Sequence, residues 1–322
     1  MSYVGPDFDP PHPRRPRRAP LTVALAALVP GALLGWLVYE AVGGPGGSDS
    51  SGKPNASGSA STSTSAAPAS ASPRSASPSD DAKKPGSPRT SSRPAASGPL
   101  KGKVVVIDPG HNPGNFQHTA EINRQVDIGT NRKECDTTGT STNAGYTEAR
   151  FSLDLAHRLR TLLEEQGATV KLTHDGDSPP WGPCVDERAR IGNVARADAA
   201  ISLHADGAAE GERGFHVILP ESVHAGAADT RPIVASSRDL GERVAGSFVR
   251  VTGDAPSNYV GDGTGLVTRK DLGGLNLSTV PKVFIECGNM RDSKDSALLT
   301  SGAWRQKAAQ GISEGIVSFL RG

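Results

Sequence analysis

From Lys103 to Ile107 the chain runs through β-branched apolar residues into Asp108-Pro109-Gly110, the pattern of a buried strand leaving into a turn. After a long polar stretch, Phe151, Leu155, Leu159 and Leu162 recur at helical spacing, with Thr147 placed as N-cap and Gly167 as C-terminal stop. Glu148 precedes Phe151 by three residues and Leu155 by seven, so it shares their inward face. A carboxylate is costly there without a partner. Further strands are predicted over 169–173, 199–203, 214–219 and 282–285, and further helices over 185–196, 233–252 and 302–320. Strands alternating with helices predict a single α/β layered domain, with a mostly parallel central sheet flanked by helices.

Upstream the pattern changes twice. Residues 21–42 form an apolar run broken by Pro30 and carrying one charge, Glu40; it is long enough to span a bilayer. Arg14, Arg15, Arg17 and Arg18 precede it, and the positive-inside rule makes residues 1–20 a cytoplasmic head and 21–42 a transmembrane signal anchor. A cleaved signal peptide, with secretion to the cell wall, is the competing reading, but no clean Ala-x-Ala site follows. Residues 43–99 contain no Val, Ile, Leu, Met, Phe, Trp or Tyr, so nothing offsets the entropy of ordering them. They read as a disordered Ser/Ala/Pro/Gly-rich tether that holds residues 100–322 outside the membrane. Of the 322 residues, 35 are Lys or Arg and 34 Asp or Glu; no basic surface suited to nucleic acid is implied.

In open α/β sheets the ligand site lies at the carboxyl ends of the strands. His111, His204 and Glu286 each follow a predicted strand, and Glu148 starts the inward-facing helix. Two imidazoles and a carboxylate are a common protein set for a catalytic zinc with an open position for water, and a second carboxylate beside that water is its base. With Glu148 and Glu286 both at hand, the residues alone leave open which one ligates. Taken singly, each has a plainer reading: a hydrogen-bonded core histidine, a helix-terminal Glu148, or a Glu286 paired with Arg188 or Arg291. His118, His174, His216 and His224 are weaker competitors, His157 faces solvent, and His12 lies in the head.

Four segments together resemble zinc-dependent N-acetylmuramoyl-L-alanine amidases of the type-3 family. They are Val106-Ile107-Asp108-Pro109-Gly110-His111, Gly145-Tyr146-Thr147-Glu148, Ile201-Ser202-Leu203-His204-Ala205-Asp206, and Val283-Phe284-Ile285-Glu286-Cys287-Gly288-Asn289. The resemblance runs from about Lys103 to Leu320. It implies a peptidoglycan hydrolase that cuts between N-acetylmuramic acid and the L-alanine of the stem peptide, and the anchor at 21–42 would place it at the bacterial cell membrane. It also implies one zinc per chain held by His111, Glu148 and His204, with Glu286 as catalytic carboxylate and peptidoglycan or muropeptides as substrate. Two positions depart from the family pattern: Asn112-Pro113-Gly114 replaces the common Gly-Gly after the first histidine, and Asp206 replaces the usual Asn. The polar segment 112–146 is long enough to form a lid or plug over the cleft.

Of the three cysteines, Cys135 and Cys184 lie in loops and are expected to form a disulfide in an oxidising exterior, with two free thiols as the alternative. Cys287 alternates with Glu286 on a strand and reads as a small core residue. Gly261-Asp262-Gly263-Thr264-Gly265 lacks a Walker-type Lys-Ser/Thr and reads as a surface loop. The chain is expected to act as a monomer. Two other functions compete with the amidase: a zinc peptidase or deacetylase acting on another cell-wall amide, and a non-catalytic wall-binding or activator module. Retention of both histidines and both glutamates argues against the silent module.

Overall fold

The structure is a computed structural model that describes residues 98–322. The anchor expected at 21–42 and the tether at 43–99 therefore lie outside the described residues, apart from the last two positions of the tether. Among the described residues no helix is long and apolar enough to cross a membrane.

Among the described residues, ten strands and seven α-helices follow in chain order. They are β1 (Val104–Pro109), α1 (Thr119–Ile122), β2 (Gln125–Asp127), β3 (Arg132–Glu134), α2 (Glu148–Glu165), β4 (Thr169–Leu172), α3 (Val185–Val194), β5 (Ala199–Asp206) and β6 (His216–Pro220). Then come β7 (His224–Ala225), β8 (Ala228–Asp229), α4 (Val234–Thr252), β9 (Leu266–Arg269), α5 (Gly273–Asn276), β10 (Lys282–Asn289), α6 (Ser293–Leu299) and α7 (Gly302–Arg321). The main sheet has the order β4-β1-β5-β10-β6-β9, parallel throughout except where β10 meets β6. This is the layered α/β domain with a mostly parallel sheet that the sequence pattern predicts.

Strand alternation sorts the side chains onto two faces. Val105, Ile107, Ile201, Leu203, Val283 and Ile285 join one core with Phe151, Leu155 and Leu159 of α2, Leu240 and Val244 of α4, and Ile312 and Ile316 of α7. The opposite face carries Val106 and Ala200 beneath α3, near Ile191. Further along the same strands it carries Asp108, Ser202, His204, Phe284 and Glu286, which line a cleft. One face of the sheet thus supplies the core, and the carboxyl half of the other supplies chemistry.

Three differences from the sequence pattern bear on the site. His204 and Glu286 sit within β5 and β10 rather than just past them, because both strands run on to Asp206 and Asn289. Asp295 of α6 accepts the Asn289 N–H at 3.1 Å and so holds that extension. The edge strand β9 went unpredicted: four residues after a glycine-rich turn carry too little periodicity, and pairing with β6 makes it a strand. The 112–146 segment is not a structureless loop. It contains α1, the β2–β3 hairpin and the Cys135–Cys184 disulfide, which ties it to the N-cap residue of α3.

Candidate metal centre

His111 follows β1 in a left-handed backbone conformation, φ 60°, which an L-residue adopts only when its surroundings impose it. Its Nδ1 donates toward Thr137 O at 3.1 Å and faces Asp136 Oδ1 at 3.3 Å, leaving Nε2 directed at Glu148 Oε2, 3.1 Å away. His204 comes from β5 and stacks on Phe284 of β10, with ring centroids 3.9 Å apart. Its Nδ1 lies 2.7 Å from Glu148 Oε1. Gly110 makes this approach possible, since a Cβ there would stand 2.3 Å from the His204 ring. Glu148, at the first turn of α2, reaches over the strand end and bridges the two imidazoles. Ligand atoms of His111, Glu148 and His204 all lie within 4.8 Å of one another, a group able to hold a metal ion.

The electrostatics follow from burial and pairing. Burial disfavours charge on His111, yet Glu148 and Asp136 outweigh it and raise its pKa to about 10. Burial also opposes charge on Glu148, but the two histidines win and hold its carboxyl far below the usual range. For His204 burial dominates and lowers the pKa.

Glu286 stands beside this group, in register with His204 across the β5–β10 pair. Its Oε2 is buried and has no hydrogen-bond partner among the described residues. Neither Arg188 nor Arg291 pairs with it: Arg188 bonds Asp108 and Asp136, and Arg291 donates to Ser141 O. Burial, with the carboxylates of Glu148 and Asp206 close by, pushes the Glu286 carboxyl well above the usual range. The cleft encloses about 500 Å³, and Thr137, Gly139 and Thr140 of the 112–146 segment form one wall. That wall touches the centre directly. Thr140 N–H donates to Glu148 Oε2 at 2.9 Å, and a Cβ on Gly139 would fall 2.6 Å from the His111 ring.

The other sequence candidates separate cleanly. His174 and His216 are buried and are not members of the three-ligand group, His216 lying opposite Glu286 across the β6–β10 pair, while His157, His118 and His224 pair with Asp175, Glu121 and Asp229. Cys135 and Cys184 are bonded, Cys287 is a buried free thiol, and 261–265 is a turn leading into β9, exposed at Asp262, Gly263 and Thr264. Sequence reading missed Asp136, a loop residue with no periodicity, whose only visible cue is its bonded neighbour Cys135.

A mostly parallel α/β sheet with two histidines and two glutamates lining a cleft at the carboxyl ends of its strands defines a class, layered α/β enzymes whose cleft is able to hold a metal ion. A family model described as N-acetylmuramoyl-L-alanine amidase matches residues 105–318, and the chain belongs to that family. The N-acetylmuramoyl-L-alanine amidase Rv3717 of Mycobacterium tuberculosis is 40% identical over 235 residues, spanning 73% of this chain and 93% of that protein. The amidase AmiA of Escherichia coli is 24% identical over 256 residues, 71% of this chain and 80% of that one. The crystal structure of the amidase Ami1 from Mycobacterium smegmatis superposes with a TM-score of 0.62 at 38% identity, covering 70% of this chain and 99% of that one. The chain is a peptidoglycan hydrolase of this amidase type.

Proposed function

We propose that the chain binds one zinc ion through His111, Glu148 and His204 and uses Glu286 as the proton carrier in cleaving the N-acetylmuramoyl–L-alanine amide. The observation that supports this reading is the convergence of three ligand atoms within 4.8 Å beside a buried carboxylate oxygen without a hydrogen-bond partner among the described residues. Two imidazoles and one carboxylate suit zinc and leave a coordination position for water. When bound there, zinc lowers the pKa of that water to about 7 and polarises the scissile carbonyl.

The remaining work falls to the protein. An amine leaves poorly unless protonated, so one group must take the water's proton and deliver it to the alanine nitrogen. Glu286 lines the cleft with an oxygen that has no hydrogen-bond partner among the described residues, and its raised proton affinity suits it to take the proton from the water. Glu148 is fixed by Thr140 N–H and does not need to move. Digesting purified peptidoglycan and identifying the new ends by mass spectrometry tests the assignment. The expected products are free L-alanine amino termini and intact N-acetylmuramyl lactyl carboxylates. New ends within the stem peptide, or released acetate, would instead indicate a peptidase or a deacetylase.

The same proposal includes location. Residues 21–42 anchor the chain in the membrane, 43–99 tether it, and 100–322 work outside as a monomer. A disulfide between Cys135 and Cys184 suits that oxidising side.

A further inference from the structure

An imidazole that binds a metal through one nitrogen must be held at the other, or the ring turns and the ligand is lost. At His111 Nδ1 the carbonyl and hydroxyl oxygens of Thr137, each 3.1 Å away, share this task with a carboxylate, and the residue itself sits at φ 60°. Two buried groups meet it there. Asp136, 6% exposed, places Oδ1 3.3 Å from His111 Nδ1 and accepts Arg188 Nη2 on Oδ2 at 2.8 Å. Arg188, 4% exposed, also donates from Nη2 to His111 O at 3.0 Å and from Nη1 to Pro109 O at 2.6 Å. A single guanidinium thus grips both the carboxylate that faces the ring and the backbone that carries the ring. Its Nη1 donates to Asp108 Oδ1 at 2.8 Å and its Nε to Pro183 O at 2.8 Å, so the guanidinium is itself immobile. Planar, multiply donating recognition of this kind is what arginine supplies and lysine does not. The ends of the device are cross-linked: Asp136 is next to Cys135, and Arg188 lies one turn past Cys184, donating its N–H to Cys184 O at 2.9 Å.

We propose that Asp136 and Arg188 are positioning residues for the metal centre. Asp136, alongside Thr137, holds the His111 ring at Nδ1 so that Nε2 faces the metal, and Arg188 fixes Asp136. The inference rests on the zinc site proposed above. A buried ion pair that served stability alone would not need one carboxylate divided between the arginine and a ligand's ring.

The test measures metal, not turnover. Asp136→Ala and Asp136→Asn are made in the full-length chain, and zinc affinity is read by competition with a chromophoric chelator. Coordination geometry is read from the visible spectrum of the cobalt(II)-substituted protein, and the fold of the metal-free form from circular dichroism. Asp136→Ala is expected to weaken zinc binding roughly 10–100-fold and to alter the cobalt spectrum while the protein stays folded. Asp136→Asn keeps an acceptor but polarises the ring less, so its loss is smaller, about 3-fold or more. Folded variants with wild-type affinity and an unchanged cobalt spectrum would overturn the inference. If the Ala variant does not fold, the near-isosteric Asn variant decides on the same criteria. A wild-type chain that binds no zinc removes the metal reading itself and this inference with it. A wild type that binds, with variants that bind equally, removes only the positioning role.

Discussion

Glycine at 110, a left-handed residue at 111 and, among the described residues, an unpaired carboxylate oxygen at 286 show how single positions give up local comfort for the site. Not every buried polar residue serves it. His174, 2% exposed, sits between β1 and the segment after β4, with Nε2 donating to Pro109 O at 2.9 Å and Nδ1 accepting Gly176 N–H at 3.3 Å. One nitrogen gives and the other takes, which fits the neutral ring only. Burial, and then the nearby Arg188, lower its pKa from 6.5 to about 4. In the unfolded chain it titrates near 6.5, so above that pH both states are neutral and nothing is lost. As pH falls from 6.5 toward 4 the unfolded state takes up the proton first, and stability drops by about 2 kcal/mol at pH 5. Urea midpoints at pH 7 and pH 5 should therefore separate more for the wild type than for His174→Gln. Equal separations would contradict the assignment.

At the scale of elements, the cleft wall and the third helix are one unit because a covalent bond joins them. Cys135 and Cys184 are 49 residues apart, and closing a loop of that size restricts the unfolded chain by about 4 kcal/mol in the chain-entropy limit. Reduction should then lower the melting temperature by roughly 10 °C for a domain of this size, while thiol titration of the denatured chain rises from one group to three. An unchanged melting temperature would show that hydrogen bonds alone hold the wall. Elsewhere the elements pack by close approach. Gly315 of α7 faces α4 so tightly that a Cβ would stand 2.6 Å from Val244 Cα, so this pair of helices depends on a missing side chain.

For the whole molecule, much was legible because periodicity carries it. The alternation in β1, β5 and β10 puts Ile107, Leu203 and Ile285 into the core. By the same rule it sends Asp108, His204 and Glu286 to the cleft. The helical spacing from Phe151 forces Glu148 inward, and the structure gives it two histidines as partners. What stayed hidden lacks a period. Asp136 lies in a loop, Arg188 finds its carboxylates through tertiary contact, and β9 becomes a strand only beside β6. The proposed anchor is checked by N-terminal sequencing of membrane-fractionated protein. A mature chain beginning after Gly43 would replace anchoring with secretion.

The central claim, a zinc centre served by a separate proton carrier, is tested most directly by Glu286→Gln, assayed for zinc content and peptidoglycan cleavage in the same preparation. Glu286 completes no part of the three-ligand group, so the variant should retain one zinc per chain and the wild-type fold. Its turnover should nonetheless fall roughly 100-fold or more, the usual range for loss of a general acid–base group. Near wild-type cleavage with zinc bound would contradict the account.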